Sequence, residues 1–175
     1  PAALLMIAAL VSALFYDWPL KLTSFSVVPY AVSFGLLPAI VVTSLPGSPT
    51  APAWLVAAGA LLGAGAHFAN ALPDLGDDEQ TGVRGLPQRL GPTWSRAAAA
   101  VLLLAATGVL VFGPPGRPSR AGLGAIVAAA VVLPIGWYVG RRAVGRGGRP
   151  VAVFQAVMAV AVIDVVLLVT SGGVV

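Results

Sequence analysis

Residues 22–73 read LTSFSVVPYAVSFGLLPAIVVTSLPGSPTAPAWLVAAGALLGAGAHFANALP, a stretch without a single Asp, Glu, Lys or Arg. One bilayer crossing needs roughly 20 apolar residues in a helix. The stretch therefore holds two crossings, divided by the turn-rich TSLPGSPTAP at 43–52. Lipid offers no partner for an open sheet edge, so both crossings are read as helices. Working outward, apolar segments of the same kind appear at about 1–16, 25–45, 52–72, 94–112, 121–140 and 151–170. The fold class that follows is all-α, a polytopic transmembrane helix bundle in one domain.

Composition agrees. The 175-residue chain is 58% hydrophobic and 9% charged, against about 25% charged in an ordinary soluble domain. A net charge of +4 would suit nucleic acid, but the basic residues lie in short connectors between apolar runs, where they set membrane orientation. Nucleic acid is excluded as a partner on that ground. With no cysteine, disulfide and thiolate chemistry are excluded too. The chain opens on Pro1 with no basic leader, so a fragment truncated at its N-terminus is expected.

Pro29 and Pro38 should kink the second segment, and Gly59 and Gly63 form a GxxxG pattern in the third that lets helices approach closely. With six crossings, the connectors after the first, third and fifth segments share one face. They carry Lys21, Arg84, Arg89, Arg96, Arg141, Arg142, Arg146 and Arg149, whereas the opposite face carries Arg117 and Arg120. Cytoplasmic loops hold the excess of Lys and Arg. The expectation is thus a multi-pass protein of the cell (inner) membrane with its charged loops cytoplasmic and its C-terminus on the other side. Asp74, Asp77, Asp78 and Glu79 fall on that same basic face.

The chemistry is concentrated in 67–91, HFANALPDLGDDEQTGVRGLPQRLG. Asn70, Asp74 and Asp78 are four apart and would stack along one helix face, with Pro73 a source of distortion. Clustered carboxylates repel one another unless a cation neutralises them. Oxygen ligands in this number suit Mg²⁺, which keeps waters and binds through one or two carboxylates plus substrate phosphates. Arg84 and Arg89 follow, and guanidinium groups suit phosphate oxygens. A plain polar loop with a capped helix end is the alternative reading of the same residues.

This stretch resembles the second aspartate-rich motif of the UbiA superfamily of intramembrane prenyltransferases. The motif has the form DxxxD, then Gly-x-Arg, then Leu-Pro…Leu-Gly; Asp74 and Asp78 match its aspartates, and Asn70 matches an Asn often found ahead of them. The segment YDWPLKLTSFSVVPYAVSFGLLPA is similar to the family's Tyr…Lys connector through Tyr16 and Lys21. The resemblance implies a nine-helix fold of which this chain would supply helices four to nine. Nothing in the chain matches the family's first motif, NDxxD, so the isolated fragment is expected to be inactive.

The implied activity is Mg²⁺-dependent transfer of a prenyl group from a prenyl diphosphate to a lipophilic, often aromatic, acceptor within the membrane. Asp74 and Asp78 are the implied metal ligands, with Asp77 a weaker third. Lys21 is implied to contact the diphosphate, the alternative being a lone orientation-setting lysine. Tyr16 either lines the pocket near the allylic cation or serves as an interfacial tyrosine like Tyr30 and Tyr138. Arg84 either assists phosphate binding or marks topology, and Asn70 either orients a ligand water or bonds another helix.

Three further features are read as structural. His67 is expected to be a packed polar group. Asp164 is costly in lipid and is expected to face the bundle as an interhelical hydrogen-bonding group. The cluster RRAVGRGGR at 141–149 is a topology signal that also suits anionic headgroups. Two other functions remain open: terpene cyclisation within the same superfamily, and a membrane transporter or structural subunit. The second leaves the ordered Tyr16/Lys21 and Asp74/Asp78 pairs as coincidence.

Overall fold

A computed structural model describes residues 2–47, 49–146 and 151–171, with the side chains of 79–81 and 168–171 outside the description. Arg149 of the basic cluster and the Glu79 side chain therefore lie outside the described residues. Every described element is helical: α1 (Ala2–Asp17), a 3₁₀ turn (Leu20–Leu22), α2 (Val27–Thr43), α3 (Ala53–Ala71), α4 (Leu75–Thr81), α5 (Leu86–Phe112), α6 (Arg120–Val144) and α7 (Val151–Ser171). By length and composition α3, α5 and α6 are each able to cross a membrane, and α1, α2 and α7 are shorter apolar helices. The short, polar α4 is the addition to the six apolar segments.

Consecutive long helices pack side by side, α1 on α2, α2 on α3, α3 on α5, α5 on α6 and α6 on α7. The row then curls, because α7 also packs on α5 and α3. Lipid tails are as apolar as the side chains, so close packing rather than exclusion from water holds such helices together. The core is accordingly built of small residues around a few large ones. Phe68, Ala69, Ala99, Leu103, Ala129, Leu133, Ala156, Val157 and Val160 join α3, α5, α6 and α7 in one cluster. By contrast α1 buries no residue.

The GxxxG pair makes the α2–α3 contact. A Cβ on Gly59 would stand 2.5 Å from the Phe34 carbonyl oxygen, and one on Gly63 the same distance from that of Tyr30. Pro38 lies inside α2 and has no N–H for the carbonyl of Phe34 four residues earlier. Gly59 thus packs on the one carbonyl that Pro38 leaves without its helical partner. Pro29 differs from expectation. It sits in the first turn of α2, where N–H groups have no intrahelical acceptor, so it starts the helix and does not kink it.

A second difference concerns α5, which begins at Leu86, well before the apolar run at 94–112. Its first turn is set off from the rest at Gly91, whose φ of 74° and ψ of 174° belong to a region that only glycine occupies readily. Pro92 follows and restarts the helix. The turn before this break points the 86–90 segment back toward the α3–α4 junction, where the polar residues gather.

At the far end of the bundle Asp164 is 1% exposed. Thr107 Oγ1 on α5 donates to its Oδ2 at 3.3 Å, which makes it the interhelical polar contact expected.

Candidate functional site

The site begins with a helix that stops early. α3 ends at Ala71, and Pro73 cannot continue its hydrogen bonding, so the chain makes one turn before α4 restarts at Leu75. Asp74 stands at the N-cap of α4, and the Asp78 N–H bonds its carbonyl oxygen at 2.8 Å. The two aspartates therefore sit one helical turn apart although the parent helix is interrupted between Asn70 and Asp74. At its other end α4 closes on Gly82 in a left-handed conformation, with the Val83 N–H bonded to the Asp78 carbonyl at 3.0 Å.

Around this junction lies a cavity of about 340 Å³. Tyr16 and Asp17 reach it from the end of α1, Lys21 from the 3₁₀ turn, His67 and Asn70 from α3, and Asp74 and Asp78 from the α4 segment. Tyr30, Val83 and Gln88 complete most of the wall. Five residues singled out in the sequence are thus brought together: Tyr16, Lys21, Asn70, Asp74 and Asp78. Asp77 is exposed and does not line the cavity. Arg84 is exposed as well; it lines a neighbouring cavity of about 580 Å³ with Arg89, which shares only Val83 and Gln88 with the first. Arg89 is occupied locally, its Nε donating to the Arg84 carbonyl at 2.8 Å.

Several neighbours fix these groups in place. Gln88 Nε2 donates to Asp78 Oδ2 at 2.6 Å, so the turn ahead of Gly91 holds one of the carboxylates. Ser26 Oγ accepts from the Leu86 N–H at 2.9 Å and shares a hydrogen bond of 3.0 Å with His67 Nε2. The first N–H groups of a helix have no intrahelical acceptor. Here a serine from the α1–α2 connector supplies one to α5. Gly85 allows this convergence, because a Cβ there would stand 2.8 Å from the Lys21 carbonyl oxygen and 2.9 Å from Ser26 Oγ.

Beneath the carboxylates is an aromatic patch. The Tyr16 and Tyr30 rings meet edge to face at 5.0 Å, and His67 lies 4.7 Å from Tyr30 and 5.8 Å from Tyr16. His67 is only 4% exposed. It is packed, as its sequence position suggests, but packed as a wall of this cavity.

Electrostatically the cavity is one-sided, with Asp17, Asp74 and Asp78 facing the single ammonium of Lys21. An excess of carboxylate favours a cation. Among the described residues no three His, Cys, Asp or Glu side chains are close enough to enclose a metal by themselves. Two carboxylates, the Asn70 amide and water, completed by a ligand's phosphate oxygens, are the mode in which Mg²⁺ is usually held, and the donor set fits it.

Asp17, Gln88 and Ser26 are not among the residues the sequence singles out, and Tyr30, expected as an interfacial tyrosine, also lines the cavity. Asp17 had a signal, its adjacency to Tyr16. Gln88 and Ser26 had none, since each acts on a residue far along the chain.

The family model of the UbiA prenyltransferase family matches residues 1–169. No curated protein and no solved structure matches the chain.

Proposed function

The chain belongs to the UbiA prenyltransferase family, whose activity is prenyl transfer in membranes, and from that premise we propose that its polar cavity binds a prenyl diphosphate with Mg²⁺ for transfer to a lipophilic or aromatic acceptor. One observation carries the proposal: Lys21, Asn70, Asp74 and Asp78, supplied by separate elements, line a single cavity with a bed of aromatic rings. A polytopic bundle alone gives no reason for that convergence.

In this reading Asp74 and Asp78 hold the cation, directly or through water, and Asn70 orients a ligand water. Mg²⁺, when bound, offsets the negative charge that develops on the departing diphosphate oxygen. Lys21 contributes a second positive charge to that oxygen and is itself positioned by the 3₁₀ turn. The bond that breaks joins the allylic carbon to the diphosphate oxygen, and its electron pair leaves with the oxygen. The Tyr16 and Tyr30 rings, adjacent to the carboxylate end, present π-electron density to the allylic cation. The apolar helices below exclude the water that would otherwise quench it to an alcohol. The acceptor carbon then supplies the electron pair for the new bond and releases a proton.

In this reading the basic face lies on the cytoplasmic side of the cell membrane, as the excess of Lys and Arg in its connectors supports, where soluble diphosphates are available. In the full-length protein Asp74→Ala and Asp78→Ala should each abolish Mg²⁺-dependent transfer in a radiolabelled prenyl diphosphate assay. Wild-type rates in either variant would exclude that aspartate as a ligand.

A further inference from the structure

Between α5, α6 and α7 lies an apolar groove of about 240 Å³. It shares no lining residue with the polar cavity. Its walls are Ala97, Ala100 and Leu104 on α5, Pro134 and Trp137 on α6, and its floor includes Ala156 and Val157 on α7. Small residues on α5 keep it open. On α6, Gly136 packs directly against Ala156 of α7, so the two helices approach closely beside the groove. Measured along α5 from Arg96 to Leu104, the groove runs about 12 Å at the rise of an α-helix.

Its basic end is chemically distinct. Arg96 lines the groove there, and its Nε is buried with no hydrogen-bond partner among the described residues. A guanidinium cannot shed its proton to escape that position. Arg141, in the last turn of α6, is near enough for the two charges to repel, and its Cζ lies 5.6 Å over the Trp137 ring. Among the described residues no Asp or Glu lines the groove. Arg96 thus lines the apolar slot and Arg141 stands over Trp137 at its edge, at the end of the helices that carries the basic connectors, and Trp137 is half-exposed like the tryptophans that mark membrane interfaces. Basic pockets between transmembrane helices suit anionic headgroups, whose phosphate oxygens match the guanidinium fork.

We infer that this groove is a binding site for an anionic diacyl phospholipid of the leaflet on the basic face, with the phosphate on Arg96 and Arg141 and one acyl chain lying along α5 beside Trp137. The second positive charge, with no Asp or Glu among the described residues that line the groove, favours a net-negative headgroup over a zwitterionic one. The site is independent of the diphosphate chemistry proposed above.

The test is native mass spectrometry of the full-length protein released from micelles that contain equal phosphatidylglycerol and phosphatidylcholine. Phosphatidylglycerol should be retained at least fivefold over phosphatidylcholine. Arg141→Gln, at an exposed position, and Arg96→Gln should each lower that preference, and Ala100→Phe, which fills the slot, should remove it. Arg117→Gln, at the opposite end of the bundle, should leave it unchanged and so controls for bulk charge. Equal retention of the two lipids by the wild type overturns the inference. So does an unaltered preference in Ala100→Phe, or an equal loss in Arg117→Gln. Displacement of phosphatidylglycerol by excess geranylgeranyl diphosphate would assign the groove to a substrate chain and overturn it too.

Discussion

The residue that holds Asp78 is Gln88, and its contribution is measurable. A hydrogen bond to a charged group is worth roughly 1.5–3 kcal/mol, and tenfold in an equilibrium constant corresponds to about 1.4 kcal/mol. Gln88→Leu should therefore raise the Mg²⁺ concentration for half-maximal transfer by about tenfold or more, read from a metal titration of activity. Ser26 acts on stability instead. It is 1% exposed and serves both the Leu86 N–H and His67. Ser26→Ala takes this partner from the buried His67 and the part-buried Leu86 N–H, and thermal unfolding in detergent should show a loss of about 1–3 kcal/mol. Neither role is legible in the sequence. The pairing of Asp74 with Asp78 is, because a spacing of four is a local property of a helix turn, and Asn70 lies close by at the end of α3. Gln88 lies ten residues from Asp78 and Ser26 lies sixty from Leu86, so their partners exist only after the chain has folded.

At the scale of elements, the two breaks in helical continuity build the site. Pro73 ends α3, and the turn that follows sets α4 at the mouth of the cavity. Gly91 breaks α5 so that its first turn can carry Gln88 to Asp78. The backbone at Gly91 is one that a side chain tolerates poorly, so Gly91→Ala should cost about 1–3 kcal/mol. It should also lower transfer by loosening the Gln88–Asp78 contact, and combining it with Gln88→Leu should add little to the loss of activity. The apolar runs were readable as helices from composition alone. The start of α5 was not, because LPQRLGPTW contains a glycine, two prolines and an arginine, and a run of that composition ordinarily marks a connector. Tertiary contacts from Ser26 and Gln88 stabilise a turn that local preference does not favour.

Across the whole molecule, alternate connectors bring the basic ends of the helices to one face, and the polar cavity and the apolar groove both lie toward those ends. The proposed orientation has a direct check, helped by the lack of native cysteine. Gly76→Cys, at a position with nothing within 4 Å of an added Cβ, should react with a membrane-impermeant maleimide only in inverted vesicles. Arg117→Cys should react only in right-side-out vesicles. The reverse pattern would place the cavity on the outer side and remove the supply of soluble diphosphate on which the proposed function depends.

The sequence by itself determined that the chain is a membrane-spanning helical bundle with paired aspartates near one face. Both are set by short-range properties, the transfer of apolar runs into lipid and the period of a helix. Only the tertiary structure decided that Tyr16, Lys21, Asn70, Asp74 and Asp78 share one cavity while Asp77 and Arg84 lie outside it. Which way a side chain faces depends on how helices pack against one another, and that packing is fixed by close contacts, such as Gly59 on Phe34 and Gly85 on Lys21, between residues remote in the chain.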